Sequence, residues 1–171
     1  MFLSGACADR ILKTVLPEVT LSSMGLMDLN NSIITFLTKI TNNIAPLVEM
    51  NASEVELALP KFLPEKLIEP AKKAGEEAVK QFTDKGAHIT KCVEPEFPLD
   101  DLLTRVRDAY HSVIVNENSI VYMAACVEVA VAEFLKVAGE HAKSQKRNQI
   151  SRNDIKWALA NDFEIGPYFQ E

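Results

Sequence analysis

Few side chains in this sequence have the type and spacing that chemistry requires. His88 and Cys92 stand four residues apart, but two ligands in a stretch punctuated by Gly86, Pro95 and Pro98 do not make a zinc site. The sequence contains no phosphate-binding loop, nucleophile elbow or dinucleotide fingerprint. We therefore expect no enzymatic activity, no metal and no cofactor.

The other reactive residues have structural interpretations. Cys7 and Cys126 lie in apolar segments, where a cysteine behaves as a small buried residue. His111 and His141 have no Cys, Ser or carboxylate neighbour arranged for catalysis. The three cysteines of this 171-residue chain do not make a disulfide framework, and an odd number suits a reducing, intracellular location.

The strongest local charge signal is basic. Lys146, Arg147 and Arg152 surround one polar loop, which is either a solvated loop or a set of phosphate contacts. The chain as a whole is acidic, with 18 Lys and Arg against 24 Asp and Glu and a net charge of −6. Taken alone, this balance argues against nucleic acid, because phosphate neutralisation needs clustered cations.

Helical periodicity dominates both halves of the chain, and no apolar run is long enough to span a bilayer. Each half shows a short helix, a β-branched link, a long helix, a loop and another short helix. In the first half the predicted segments are helix 6–16, link 19–21, helix 23–48, a helix from 52 that ends near Pro60, and an added helix 64–82. In the second half they are helix 99–110, link 113–115, helix 120–145, and a helix to residue 161 opened by a Ser151/Asp154 capping box.

The long helices carry apolar residues on more than one side, so each needs more cover than its own half can provide. The two halves must therefore bury these helices against each other. We predict an all-α fold of two tandem repeats that pair as an intramolecular pseudo-dimer, with the long helices crossing at its centre.

This repeat resembles the histone fold. From Phe97 to Asp162 the sequence is similar, without a gap, to core histones of type 2A. The matching residues include Val121-Tyr122-Met123-Ala124-Ala125, Ala132-Glu133, Ala138-Gly139 and Asn161-Asp162. The first half resembles histones of type 2B, through Ile11-Leu12-Lys13, Leu21-Ser22-Ser23, Lys39-Ile40, Leu63-Pro64, Gly75 and Phe82-Thr83.

A type 2B-like unit ahead of a type 2A-like unit resembles the histone doublets of giant viruses such as marseilleviruses. The resemblance implies a type 2B-like fold with its C-terminal helix at 1–84, a connector at 85–98 and a type 2A-like fold at 99–171. It also implies an architectural protein that binds double-stranded DNA without sequence specificity, in the virion and in the infected cell's nucleus or viral factory. Two copies would join a type 4–3 histone doublet, dimer or tetramer in each nucleosome-like particle, without a membrane partner.

The resemblance also implies two sets of site residues. The predicted DNA-binding residues are Arg10, Lys13, Ser22, Ser23, Arg107, Lys146, Arg147 and Arg152. The predicted acidic patch, a family docking site for proteins, contains Glu128, Glu133, Asp162 and Glu164.

Several positions depart from the family pattern. Gln149, Asp101, Thr104 and Ile114 stand where the family usually has Arg; Lys136, Phe163, Lys66 and Ala74 replace patch carboxylates. We also expect the family's basic tails to be absent and the first half's second loop to be shortened. These departures predict a shortened variant whose nucleosomes are weakly wrapped or unstable. The alternative is a histone-fold scaffold or regulatory module that contacts proteins and does not bind DNA.

Overall fold

A computed structural model describes residues 1–44, 46, 48–86, 88–89 and 96–171. Cys92 and much of the predicted connector lie outside these residues, and none of the described helices is both long and apolar enough to cross a membrane. The helices are α1 (Gly5–Val15), α2 (Ser23–Asn43), α3 (Ala52–Phe62), α4 (Glu65–Asp84), α5 (Leu99–Ala109), α6 (Glu117–Ser144), α7 (Arg152–Asn161) and α8 (Gly166–Phe169). The two-residue strands are β1 (Thr20–Leu21), β2 (Glu49–Met50), β3 (Ile114–Val115) and β4 (Gln149–Ile150).

These elements form two compact units, and each unit draws on both halves of the sequence. Unit one contains Met1–Leu37 and Ala130–Glu171; unit two is formed by the described residues of Thr38–Val93 and Phe97–Val129. The long helices α2 and α6 each contribute one part to each unit.

A short parallel strand pair joins the two halves of the sequence within each unit. In unit one, Thr20 of β1 lies opposite Gln149 of β4. In unit two, Glu49 of β2 lies opposite Ile114 of β3. The strand before one long helix thus pairs with the strand after the other, so the predicted tandem repeats do pair within a single chain.

The short helix α8 packs into the core of unit one. The ring of Phe169, in α8, stacks on Phe36 of α2 at 4.6 Å and on Phe134 of α6 at 4.8 Å between ring centroids. Sequence periodicity did not predict α8, because four residues are too few to show a helical period. Pro167 in its first turn was the available signal.

Helix α2 ends at Asn43, five residues before the predicted end at residue 48. Pro46 explains the difference, since a proline cannot donate to the carbonyl four residues earlier and its ring crowds that carbonyl. In unit two, the hydroxyl of Tyr110 shares its one hydrogen between the carbonyls of Thr41 and Ile44, the latter at 3.0 Å, at a helix end that leaves such groups open. Burial raises the pKa of Tyr110 to about 12.

The third helix was predicted to end near Pro60; α3 includes this proline and ends two residues later, at Phe62. The apolar side chains of Leu59 and Phe62 are buried on either side of the proline, and the N–H of Leu63 donates to the Leu59 carbonyl at 2.9 Å. Their burial offsets the lost hydrogen bond. Leu57, on the other side of the helix, is 76% exposed.

Gly75 lies inside α4, where glycine weakens a helix. The packing of α4 within unit two explains why a glycine is needed there. A Cβ atom at this position would come within 2.6 Å of the ring of Tyr122 in α6. The absent side chain therefore leaves the space that the buried aromatic ring fills.

We expect Gly75→Ala to lower the free energy of unfolding by about 1 to 3 kcal/mol, because the rigid ring cannot yield to the methyl group. Gly5→Ala is the matched control, since its Cβ would meet Leu26 at an ordinary 3.6 Å. Urea denaturation of both variants measures the effect. Equal stability of the two would contradict the packing explanation.

Candidate functional site

The paired loops of unit one bring several predicted DNA-binding residues together. The N–H of Ser22 donates to the carbonyl of Ile150, and the N–H of Thr20 donates to that of Asn148, both at 2.9 Å. The Ser22 hydroxyl accepts from the N–H of Gly25 at 3.0 Å and so caps the start of α2. The start of α2, with its exposed Ser23, therefore lies beside the loop of Lys146 and Arg147.

Lys146 ends α6 in a conformation that usually belongs to glycine. Its φ is 58°, its N–H donates to the carbonyl of Lys143 at 2.9 Å, and the N–H of Arg147 donates to that of Ala142 at 3.0 Å. These two bonds define a Schellman cap. A lysine here carries a backbone strain of roughly 1 kcal/mol while its side chain is held on the exposed surface.

Arg147 is bound to a carboxylate of its own unit. Its guanidinium donates two hydrogen bonds to Asp154, each of 2.8 Å, and a third to the carbonyl of Gln149 at 3.1 Å. Asp154 is 0% exposed and also accepts from the N–H and hydroxyl of Ser151, both at 2.8 Å. The predicted Ser151/Asp154 capping box is thus confirmed, and its carboxylate also anchors the loop.

His141 has a carboxylate partner that the sequence did not reveal. Its Nδ1 lies 2.7 Å from Oδ1 of Asp154, and its ring stacks on Trp157 at 4.2 Å between centroids. Burial alone would raise the pKa of Asp154, but the hydrogen bonds from Arg147, Ser151 and His141 outweigh it and hold that pKa well below its usual range.

Arg152, the first residue of α7, pairs with the other half of the sequence. Its Nε donates to Oδ2 of Asp28 in α2 at 2.9 Å, and its Nη2 donates to Oδ1 at 3.3 Å. Lys143 similarly donates to Glu18 at 2.7 Å, on a more exposed part of the surface.

The remaining predicted DNA contacts are placed less closely together. In unit one, Arg10 contacts the sulfur of Cys7 at 3.7 Å, and Lys13 is exposed in the last turn of α1. Among the described residues, Lys13 and Lys146 enter no ion pair. Arg107 is exposed in the last turn of α5, in unit two.

The predicted acidic patch divides between the units. Glu128 belongs to unit two, and Glu133, Asp162 and Glu164 belong to unit one. Asp162 holds its own loop, because its Oδ1 accepts from the N–H groups of Glu164 at 2.8 Å and Ile165 at 3.2 Å. Phe163, between these residues, is 88% exposed.

The described residues contain no group of three or more His, Cys, Asp and Glu side chains that could hold a metal ion. The Nδ1 atom of His88 lies 3.5 Å from Oε2 of Glu117. Cys92, four residues after His88, is outside the described residues. Cys7 and Cys126 are buried, as expected, and neither forms a disulfide.

Several known histones are similar to this chain over part of its length. It is 30% identical to the type 2A histone IV of Volvox carteri over 95 residues, which are 56% of this chain and 67% of that protein. It is 30% identical to the type 2A histone of Chlamydomonas reinhardtii over 76 residues, 44% of this chain and 59% of that protein. It is 32% identical to the type 2B histone variant v1 of Dictyostelium discoideum over 71 residues, 42% of this chain and 31% of that protein. No family model matches the chain.

The short-long-short helix order, its repetition and the strand pairs in each unit define an all-α chain of two tandem histone folds paired within one polypeptide. With the similarities above, this chain belongs to the histone family.

We expect Asp154→Asn to lower the free energy of unfolding by about 3 kcal/mol, because Arg147 and the Ser151 N–H lose their charged acceptor. Asp28→Asn is the control; its ion pair is partly exposed, so its loss costs less than about 1 kcal/mol. Denaturation followed by Trp157 fluorescence measures both. A smaller loss for Asp154→Asn than for Asp28→Asn would contradict this ranking.

The same carboxylate predicts a response to acid. Because the pKa of Asp154 is depressed in the folded chain, its stabilisation is complete above the unfolded-state pKa of about 3.9 and is lost as the pH falls below it. The unfolding free energy of the parent should decrease from about pH 4 downward more steeply than that of Asp154→Asn. Parallel pH profiles would show that Asp154 does not contribute.

Proposed function

We propose that this chain is an architectural DNA-packaging protein that binds duplex DNA without sequence specificity. The observation that carries the proposal is the paired loop of unit one. It brings the capped start of α2 and the Lys146 loop onto the same part of a histone-family fold. Backbone N–H groups at a helix start, an exposed lysine and an exposed serine all suit phosphate oxygens, which carry no base sequence.

The proposal includes a fused doublet in which a type 2B-like fold at 1–84 is followed by a type 2A-like fold at 99–171, as in giant-virus histone doublets. Similarity to histones of both types supports it. Its partner would be a type 4–3 histone doublet, dimer or tetramer, with two copies of the present chain per particle. The proposed location is the virion and the nucleus or viral factory of the infected cell.

We expect the wrapping to be weak. At the paired loop of unit one, Arg147 and Arg152 are each bound to a carboxylate, and the chain's net charge is −6. A cation that already has a counter-ion releases few salt ions on binding DNA. A basic partner would then supply charge that this chain lacks.

The acidic patch remains a proposal of a different kind. Glu133, Asp162 and Glu164 of unit one would dock another protein, and the exposed Phe163 adds an apolar contact next to Asp162 and Glu164 in the chain. Glu128, in unit two, belongs to the same sequence-based prediction. Asp162 already caps its own loop, so only part of its carboxylate is open to such recognition.

A gel shift tests DNA binding directly. The chain is mixed with random-sequence duplex DNA, with and without a type 4–3 histone tetramer. A shift that the partner strengthens supports the proposal. No shift of this chain in either mixture would overturn it and favour the protein-contact scaffold.

Nuclease protection tests the strength of wrapping. Particles reconstituted with the type 4–3 partner should protect a shorter stretch of DNA than a conventional octamer, and should lose protection at lower salt, because fewer phosphates are neutralised. Protection as long and as salt-resistant as that of the conventional octamer would contradict weak wrapping.

Lys146→Gly should change stability and binding in opposite directions. Glycine relieves the positive φ, so the free energy of unfolding should rise by about 1 kcal/mol. Loss of the ammonium group should weaken DNA binding and reduce the salt dependence by about one phosphate contact. Lys146→Gln is the matched control, which should weaken binding without the gain in stability. Unchanged DNA affinity in both variants would remove Lys146 from the interface.

A further inference from the structure

Arg152 occupies a place from which it could reach DNA, but the structure gives it a counter-ion. It begins α7 directly after β4 and Ser151, beside the paired loops of unit one. Its Nε and Nη2 atoms donate to the two carboxylate oxygens of Asp28, and its side chain remains 41% exposed, whereas Asp28 is only 17% exposed.

Arg152 keeps hydrogen-bond donors for a further anion, although its positive charge is neutralised by Asp28. A guanidinium has five N–H donors, and two of them face Asp28, so the others can still contact an anion. The carboxylate nevertheless cancels the positive charge of the pair. Affinity for DNA depends on the phosphates that are neutralised and on the salt ions that this releases, so a neutral pair adds little.

We infer that Asp28 lowers the DNA affinity of this chain by acting as an internal counter-ion that competes with phosphate for Arg152. Asp28 is a positioning residue in this role, because it acts through Arg152 and does not touch DNA. The inference rests on the proposed DNA-binding function and adds an autoinhibitory contact to it.

Asp28 is better suited to this role than the other carboxylates of unit one. Asp154 is wholly buried and holds the loop, so its removal would perturb the fold. Glu18 and its partner Lys143 are both about half exposed, so DNA can displace this carboxylate easily. Asp28 is the intermediate case, held against Arg152 by two hydrogen bonds and only partly open to water.

The test measures the salt dependence of DNA binding in the full chain. Fluorescence anisotropy with a short random-sequence duplex is recorded from about 50 to about 200 mM salt for the parent and for Asp28→Asn. Asp28→Asn should bind more tightly at the low-salt end. Its slope of log affinity against log salt should be steeper by about 0.9, an extra loss of roughly threefold across this range.

Two further variants test whether the steeper salt dependence of Asp28→Asn comes from Arg152. Asp9→Asn makes the same charge change at an exposed position of α1 in unit one, where Asp9 has no ion pair among the described residues, and its slope should stay near that of the parent. In an Arg152→Gln background, Asp28→Asn should no longer steepen the slope. Thermal unfolding confirms that each variant is folded before its binding is compared.

The outcomes separate the two hypotheses. If the parent binds DNA but Asp28→Asn behaves like Asp9→Asn, or still steepens the slope without Arg152, the counter-ion role is overturned and DNA binding stands. If no variant binds DNA at any salt concentration, the proposed function fails and the inference fails with it.

Discussion

The pairing of the two halves of the sequence within each unit is the constraint on which the rest of this structure depends. The strand that precedes α2 is hydrogen-bonded to the strand that follows α6, and the strand that follows α2 is hydrogen-bonded to the one that precedes α6. Neither half can complete a unit alone. Placing both halves on one chain makes their association independent of protein concentration, which for separate chains would limit it.

Because the strands pair in this way, the loop that carries the candidate DNA-binding cations also has a structural role. The Lys146 loop holds β4 against β1, and it also carries cations that could meet phosphate. Arg147 is used for the first task, because the buried Asp154 needs a positive partner to remain ionised. Lys146 suits the second task, since its side chain is exposed and its backbone is strained where glycine would relax it. We interpret this local cost in stability as a sign that the side chain has a role beyond the fold.

The sequence predicted the elements well and their partners poorly. Helical periodicity and the Ser151/Asp154 capping box are local signals, and the structure confirms them. The His141–Asp154 contact joins residues 13 positions apart, and the Arg152–Asp28 contact spans 124 positions. No spacing rule links such residues, because folding decides which side chains share a surface. Pro60 is a local signal that marks the end of α3 only to within two residues, since the burial of its neighbours Leu59 and Phe62 extends the helix past it.

The acidic net charge takes on a more specific meaning once the ion pairs are known. A net charge of −6 counts every carboxylate equally, although these groups act differently. Asp154 stabilises a loop, Asp28 neutralises a cation beside that loop, and Glu18 forms a pair that solvent or DNA can displace. The affinity of such a surface for phosphate depends on how strongly each cation is already held, and only the folded chain defines that strength. Under the proposed function, an overall acidic histone-family protein would still bind DNA, with an affinity limited by its own carboxylates.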